Sequence, residues 1–222
     1  MAIARRPPGR FRAVIVDLDE VLLLRERAWR YAIEEAVAAT TGDRIDASKI
    51  SSEYRLRPWR HALSVVLRDE ADIGSVASLC QDIYERSAMK RLLVHEGIGM
   101  VLDRFRGEGV EVAAVSREAH RTARKQAEST GIDRFLTALS ARGDRAEDVL
   151  LAVSDCLSFM EHDVRRCAVV SPDVRVLRLA AGIGLACYRA AWNGADGSEF
   201  PALAAPRDLL SLLDAGPLAT AD

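Results

Sequence analysis

An apolar, β-branched run near the start of the chain ends in two aspartates. Residues 13–16 read Ala-Val-Ile-Val, and Asp17 and Asp19 follow. Such a continuous run predicts a strand that is buried on both faces of a parallel sheet. Ligands of open α/β sheets bind beyond the carboxyl ends of the strands, so both aspartates are expected at such a site. The alternation of side chains along a strand predicts that the two carboxylates lie on one side of the chain.

Two carboxylates this close repel each other unless a cation, a proton or backbone N–H groups relieve the repulsion. The residues alone allow two interpretations of the pair. In the first, one aspartate is a nucleophile that carries a transferred group, and the other is a general acid and base. In the second, the side chains cap the turn that follows the strand. If no bound cation neutralises the pair, an amide in place of either carboxylate should leave the melting temperature unchanged or raised.

The segment 17–22, Asp-Leu-Asp-Glu-Val-Leu, resembles the first motif, D-x-D-G-[TV]-L, of the haloacid dehalogenase (HAD) superfamily of hydrolases. Glu20 stands where the family usually has glycine. The resemblance implies that Asp17 is the nucleophile and that Asp19 is the acid and base. It also implies a serine or threonine at the end of the next core strand, where the family holds a phosphate.

Ser116 matches this second motif, because it ends the apolar run 110–115. The resemblance implies that the Ser116 hydroxyl and nearby backbone amides bind the substrate phosphate, with Arg117 as the adjacent substrate contact. Ser116 also stands where the N-cap of a helix over 117–130 is expected. The capping role and the binding role are compatible.

The third motif of the family is a lysine, and Asp144 takes its place here. Arg142 and Arg145 are adjacent, and Arg145 is the candidate that would supply positive charge to a substrate. An arginine fork, however, does not reproduce the geometry of a lysine point charge. The alternative is that both arginines are solvated loop residues.

The fourth motif supplies acidic ligands for magnesium, and its two positions fall on Val170 and Val174. Asp173 is the nearest substitute as a weak metal ligand, or it is an ordinary acidic residue at a helix N-terminus. With Asp17 and Asp19 as the other protein ligands, water and substrate would fill most of the octahedral shell of Mg²⁺. We therefore expect weak magnesium binding and a weakened or altered phosphatase activity.

Segments of helical period alternate along the chain with apolar runs that predict strands, at 11–16, 110–115, 135–139, 166–170 and 183–188. This alternation is typical of an α/β protein with a doubly wound parallel sheet. Together with the resemblance, it predicts a HAD-like Rossmannoid core of residues 1–24 and 96–222. The helical segment 25–95 is expected to be an inserted α-helical cap. In it, Arg57 either grips an anionic substrate or belongs to a solvated face.

Composition excludes several classes of partner. The 222 residues carry a formal net charge of -2, so no overall basic field favours nucleic acid. No apolar run approaches the roughly 18 residues of a membrane span. The four cysteines form no C-x-x-C pair. They are expected to be small core hydrophobes of a cytoplasmic protein.

These patterns predict a HAD-like hydrolase that acts through an aspartate nucleophile on a small anionic metabolite with a phosphate group. Its metal site is degenerate. Two alternatives stay open: a catalytically inactive HAD-like protein that binds a metabolite or a protein partner, and metal-independent chemistry on a substrate that is not a phosphate ester.

Overall fold

The computed structural model describes residues 10–48, 63, 64, 67, 70–192 and 199–215. The chain divides into two compact units, one of Met1–Leu23 with Val94–Asp222 and the other of Leu24–Leu93. The predicted boundaries, after residues 24 and 95, lie one and two residues beyond these.

The strands are β1 (Ala13–Asp17), β2 (Leu23–Leu24), β3 (Leu93–Val94), β4 (Glu111–Ser116), β5 (Leu136–Ala141), β6 (Cys167–Ser171), β7 (Ala186–Ala190) and β8 (Ala202–Leu203). The helices are α1 (Glu26–Thr41), α2 (Glu70–Arg86), α3 (Ile98–Gly107), α4 (His120–Thr130), α5 (Ala146–Met160) and α6 (Val174–Gly182). None of the helices in the described part of the chain is long and apolar enough to cross a membrane.

The first unit is built on a six-stranded sheet in the order β5-β4-β1-β6-β7-β8. Every neighbouring pair in it is parallel, which confirms the predicted α/β core with a parallel sheet. The edge strand β8 has no counterpart among the predicted strands, because two residues carry no periodic signal. The central strand β1 lies between β4 and β6, so the segments that follow these three strands meet at one edge of the sheet.

Alternate residues of β1 are buried on opposite faces of the sheet. Val14 and Val16 belong to one hydrophobic cluster, which α3 and α4 cover. Ala13 and Ile15 belong to the other cluster, which α5 and α6 cover. Burial on both faces is the physical reason for the unbroken apolar run in the sequence.

In the second unit, α1 and α2 pack against each other through aromatic and aliphatic side chains. Trp29 stacks on Tyr84 with ring centroids 3.8 Å apart. The predicted helical face of α1, formed by Trp29, Ile33, Ala36 and Val37, is buried.

All four cysteines are buried free thiols, as expected of core residues. Burial raises the pKa of Cys80, Cys156 and Cys187 to about 12. It raises the pKa of Cys167 to about 11. Because the thiolate is the reactive form, these thiols are inert at neutral pH.

We therefore expect the native protein to take up almost no iodoacetamide at pH 8 over the time in which the unfolded protein is labelled at four sites. Intact-mass spectrometry, with protein unfolded in guanidinium chloride as the control, measures this. Labelling of the native protein at the unfolded rate would contradict the burial of the thiols.

Candidate active site at the carboxyl ends of three strands

Asp17 caps the turn that follows β1. The chain leaves the strand in a single π-helical turn over Leu18–Leu22. Asp17 Oδ1 accepts hydrogen bonds from the backbone N–H groups of Asp19 and Glu20, at 3.0 and 3.1 Å. These two N–H groups relieve part of the repulsion between the carboxylates. The prediction that the side-chain alternation of the strand extends to Asp19 is wrong, because the strand ends at Asp17 and Asp19 lies in the turn.

The Asp19 carboxylate is held by the end of β4. Ser116 Oγ donates to it, at 3.1 Å from Oδ1 and 3.0 Å from Oδ2. The backbone N–H of Arg117 donates to Oδ2 at 2.8 Å. Asp17, Asp19 and Ser116 are each only 2% exposed. Two residues that are 97 positions apart in sequence are therefore joined in a buried contact.

The predicted role of Ser116 as a helix N-cap is wrong. Helix α4 begins at His120, and its N-cap is Ala119, which makes no side-chain capping bond. The Ser116 hydroxyl accepts instead from the N–H of Glu118, at 3.1 Å. This local turn uses the residues directly after Ser116, so the helix cannot begin before it is complete.

The end of β6 completes the cluster. Ser171 Oγ donates to Asp17 Oδ2 at 3.4 Å and accepts from the N–H of Asp173 at 3.2 Å. Asp173 Oδ2 accepts from Arg117 Nη2 at 2.8 Å, in an ion pair whose side chains are 29% and 27% exposed. Because β1 lies between β4 and β6, this ion pair joins the segments on both sides of Asp17.

Asp173 is the N-cap of α6, where Oδ1 accepts from the N–H of Arg175 at 2.8 Å. Both of its oxygens are therefore engaged, one by a helix terminus and one by Arg117. At the two positions where the family has acidic ligands, Val170 is buried and Val174 begins the helix.

The donor set does not fit a tightly held magnesium ion. No group of three or more potential metal-ligating side chains occurs among the described residues. Asp17 offers one carboxylate, of which Oδ1 already accepts two N–H groups. Magnesium requires near-octahedral oxygen ligation, and the side chains of Val170 and Val174 supply no oxygen.

The arginines near the lysine position are paired with acids of α5. Arg145 pairs with Asp148 at 3.1 Å, and the bond holds the pKa of the Asp148 carboxyl below its usual value. Arg142 binds both oxygens of Asp155, at 2.7 and 2.9 Å, and likewise lowers the pKa of Asp155. The Arg145 side chain is 74% exposed.

Of the predicted site residues, the structure brings together Asp17, Asp19, Ser116, Arg117 and Asp173. The predicted substrate contact Arg57 lies outside the described residues.

Two residues at or beside the cluster, Ser171 and Arg189, have no counterpart among the predicted site residues. Ser171 ends β6 against Asp17, and Arg189 is its register partner in β7. A charged residue inside an apolar strand run, as in Leu-Ala-Cys-Tyr-Arg-Ala-Ala, is the signal that points to Arg189.

No protein-family model and no curated protein matches the sequence. Solved structures do match. A proposed phosphatase from Clostridium difficile superposes with a TM-score of 0.80 at 11% identity, over 92% of this chain and 99% of that one. A HAD-superfamily hydrolase of subfamily IA, variant 1, from Geobacter sulfurreducens gives 0.76 at 15% identity, over 93% and 98%.

CbbY from Rhodobacter sphaeroides in complex with phosphate gives a TM-score of 0.62 at 18% identity, over 92% of this chain and 99% of that one. The chain therefore has the fold of the HAD-superfamily hydrolases. Likeness at these identities establishes the fold, and the reaction must be argued from the site.

The structure changes the expectation for an amide at position 19. Asp19→Asn removes the charge that accepts from two donors, Ser116 Oγ and Arg117 N, and turns an N–H donor toward one of them. We expect it to lower the free energy of unfolding by about 1–3 kcal/mol. Urea unfolding at pH 7 measures this, with the exposed Asp144→Asn as the control. Equal stability of the two variants would show that these bonds contribute nothing.

Proposed function

We propose that this protein is a phosphatase-like hydrolase that acts on a small phosphorylated metabolite, with Asp17 as nucleophile and Asp19 as general acid and base. One observation carries the proposal. The Asp19 carboxylate accepts hydrogen bonds from two converging donors, Ser116 Oγ and Arg117 N. This site lies beside Asp17, which caps the turn after β1. Such donors at a strand end suit a phosphoryl oxygen equally well. A neighbour of this fold, CbbY, holds phosphate.

Binding of the substrate would replace the Asp19 carboxylate by the phosphoryl group at these two donors. The phosphoryl oxygens take the Ser116 hydroxyl and the Arg117 N–H, and the Asp19 carboxyl turns toward the leaving group. Asp19 then reaches the oxygen that it must protonate. Arg117 also carries a guanidinium, which Asp173 orients at 2.8 Å. This cation offsets charge on the bound phosphoryl group.

The reaction proceeds in two displacements. Asp17 Oδ2 attacks phosphorus, because Oδ1 is engaged by the N–H groups of the turn. Asp19, which has taken up a proton from solvent on leaving its donors, gives that proton to the leaving alcohol as the P–O ester bond breaks, and an aspartyl phosphate forms. Water then attacks phosphorus while Asp19 takes its proton. The acyl-phosphate bond breaks, phosphate leaves, and the Asp17 carboxylate is restored.

A second candidate is an anion receptor without turnover, which binds a phosphorylated metabolite or a protein partner with an acidic group. The observation in its favour is the chemistry of three positions. Asp144, Val170 and Val174 stand where related enzymes have a lysine and two metal ligands. The anion-binding donors of Ser116 and Arg117 are the same in both candidates.

Hydrolysis of p-nitrophenyl phosphate and of a panel of sugar phosphates tests the proposal. We expect slow turnover that falls by about 10³-fold or more in Asp17→Asn, since removal of a nucleophile abolishes the covalent step. Asp133→Asn, an exposed change just before β5 begins and so at the opposite edge of the sheet, should keep the activity.

Two results contradict the hydrolase. Turnover that survives Asp17→Asn would remove Asp17 from the mechanism. Absence of turnover on every ester, together with phosphate binding that Ser116→Ala abolishes, would establish the receptor in its place.

A further inference from the structure

Asp17, Ser171 and Arg189 stand in one row across three neighbouring strands. Ser171 is the register partner of Arg189, and Ser171 Oγ reaches Asp17 Oδ2 at 3.4 Å. Residues in one row of a parallel sheet point to the same face. Two positions earlier, Ile15 and Cys187 pack into the same hydrophobic cluster, which places the row on the face that α5 and α6 cover.

Arg189 is deeply buried, with 6% of the residue exposed. Among the described residues, it is the one cationic side chain in the buried set, and Asp17 and Asp19 are the two carboxylates in that set. A buried guanidinium is stable only where acceptors and negative charge face it. Asp19 is held by Ser116 and Arg117, whereas Asp17 shares the row of Arg189.

The row is short enough for the two charges to act on each other. Neighbouring strands lie about 4.8 Å apart, so about 10 Å separates the backbones of β1 and β7. An extended arginine side chain covers most of this span. Ser171 stands on the strand between β1 and β7, and its hydroxyl reaches Asp17 Oδ2 at 3.4 Å.

We propose that Arg189 is the fixed cation of the Asp17 site and a positioning residue for the nucleophile. Its charge attracts the Asp17 carboxylate and orients it together with Ser171. It supplies from β7 the positive charge that related enzymes take from a lysine and a metal ion. The catalytic part of this inference rests on the proposed function, whereas the charge pairing of Asp17 and Arg189 does not.

A double-mutant cycle tests the pairing without a substrate. The variants are Asp17→Asn, Arg189→Met and their combination, and the readout is the midpoint of thermal unfolding. Each single change removes one charge of the proposed pair, so we expect each to lower the midpoint by about 5 °C or more. The combined change should cost clearly less than the sum of the two.

Two controls separate charge from packing. Arg189→Lys keeps the charge and should recover at least half of the loss seen in Arg189→Met. Arg178→Met, which removes a guanidinium that is 62% exposed and paired with Glu199, should be additive with Asp17→Asn. If Arg189→Met does not fold alone, the cycle is run with Arg189→Gln, which removes the charge and keeps a polar side chain. Additive midpoints, or Arg189→Lys as unstable as Arg189→Met, would overturn the inference.

Titration with inorganic phosphate, followed by calorimetry, tests the consequence at the site. We expect Arg189→Met to weaken phosphate binding about tenfold or more and Arg189→Lys to restore most of it. If the unfolding midpoints of the cycle are coupled but neither the wild type nor any variant binds phosphate, the proposed function is refuted and the charge pair of Asp17 and Arg189 is retained. Phosphate binding that is equal in the wild type and Arg189→Met would overturn the positioning role.

Discussion

The hydrogen bonds from Ser116 Oγ and Arg117 N to the Asp19 carboxylate hold the site together. They join the end of β4 to the turn after β1, and that turn is itself fixed by Asp17. A buried carboxylate needs such donors, because burial without them costs several kcal/mol, roughly. The same donors are therefore both a structural clamp and a ready anion site. This double use explains how the chain keeps two carboxylates 2% exposed and side by side.

Charge balance separates this site from the HAD motif pattern that the sequence resembles. Val170 and Val174 stand where that pattern has two acidic residues, so in our account the site carries fewer negative charges for a cation to balance. The cations that the structure offers are arginines. Arg117 is bound to Asp173 at 2.8 Å in a partly exposed ion pair, and Arg189 is buried in the sheet. In our account, these two fixed guanidinium groups balance the negative charge that a bound metal ion would otherwise balance.

The sequence predicts the parts of the molecule that follow from periodicity and misses those that depend on contacts between distant segments. The run before Asp17 predicts a strand of a parallel sheet, because burial on both faces leaves an unbroken apolar pattern. The start of α4 at His120 was not predictable, since Ser116 looks like a helix cap until its hydroxyl is seen bound to Asp19. Arg189 was missed because only strand order and register bring it into the row of Asp17.

A crystal structure of the protein soaked with beryllium fluoride tests the central claim most directly, because this anion mimics a phosphoryl group on aspartate. We predict beryllium bonded to Asp17 Oδ2, with Ser116 Oγ and Arg117 N donating to its fluorines. The Asp19 carboxylate should then have left both donors. A structure in which Asp19 keeps its bonds to Ser116 and Arg117 while Asp17 stays unmodified would contradict the account.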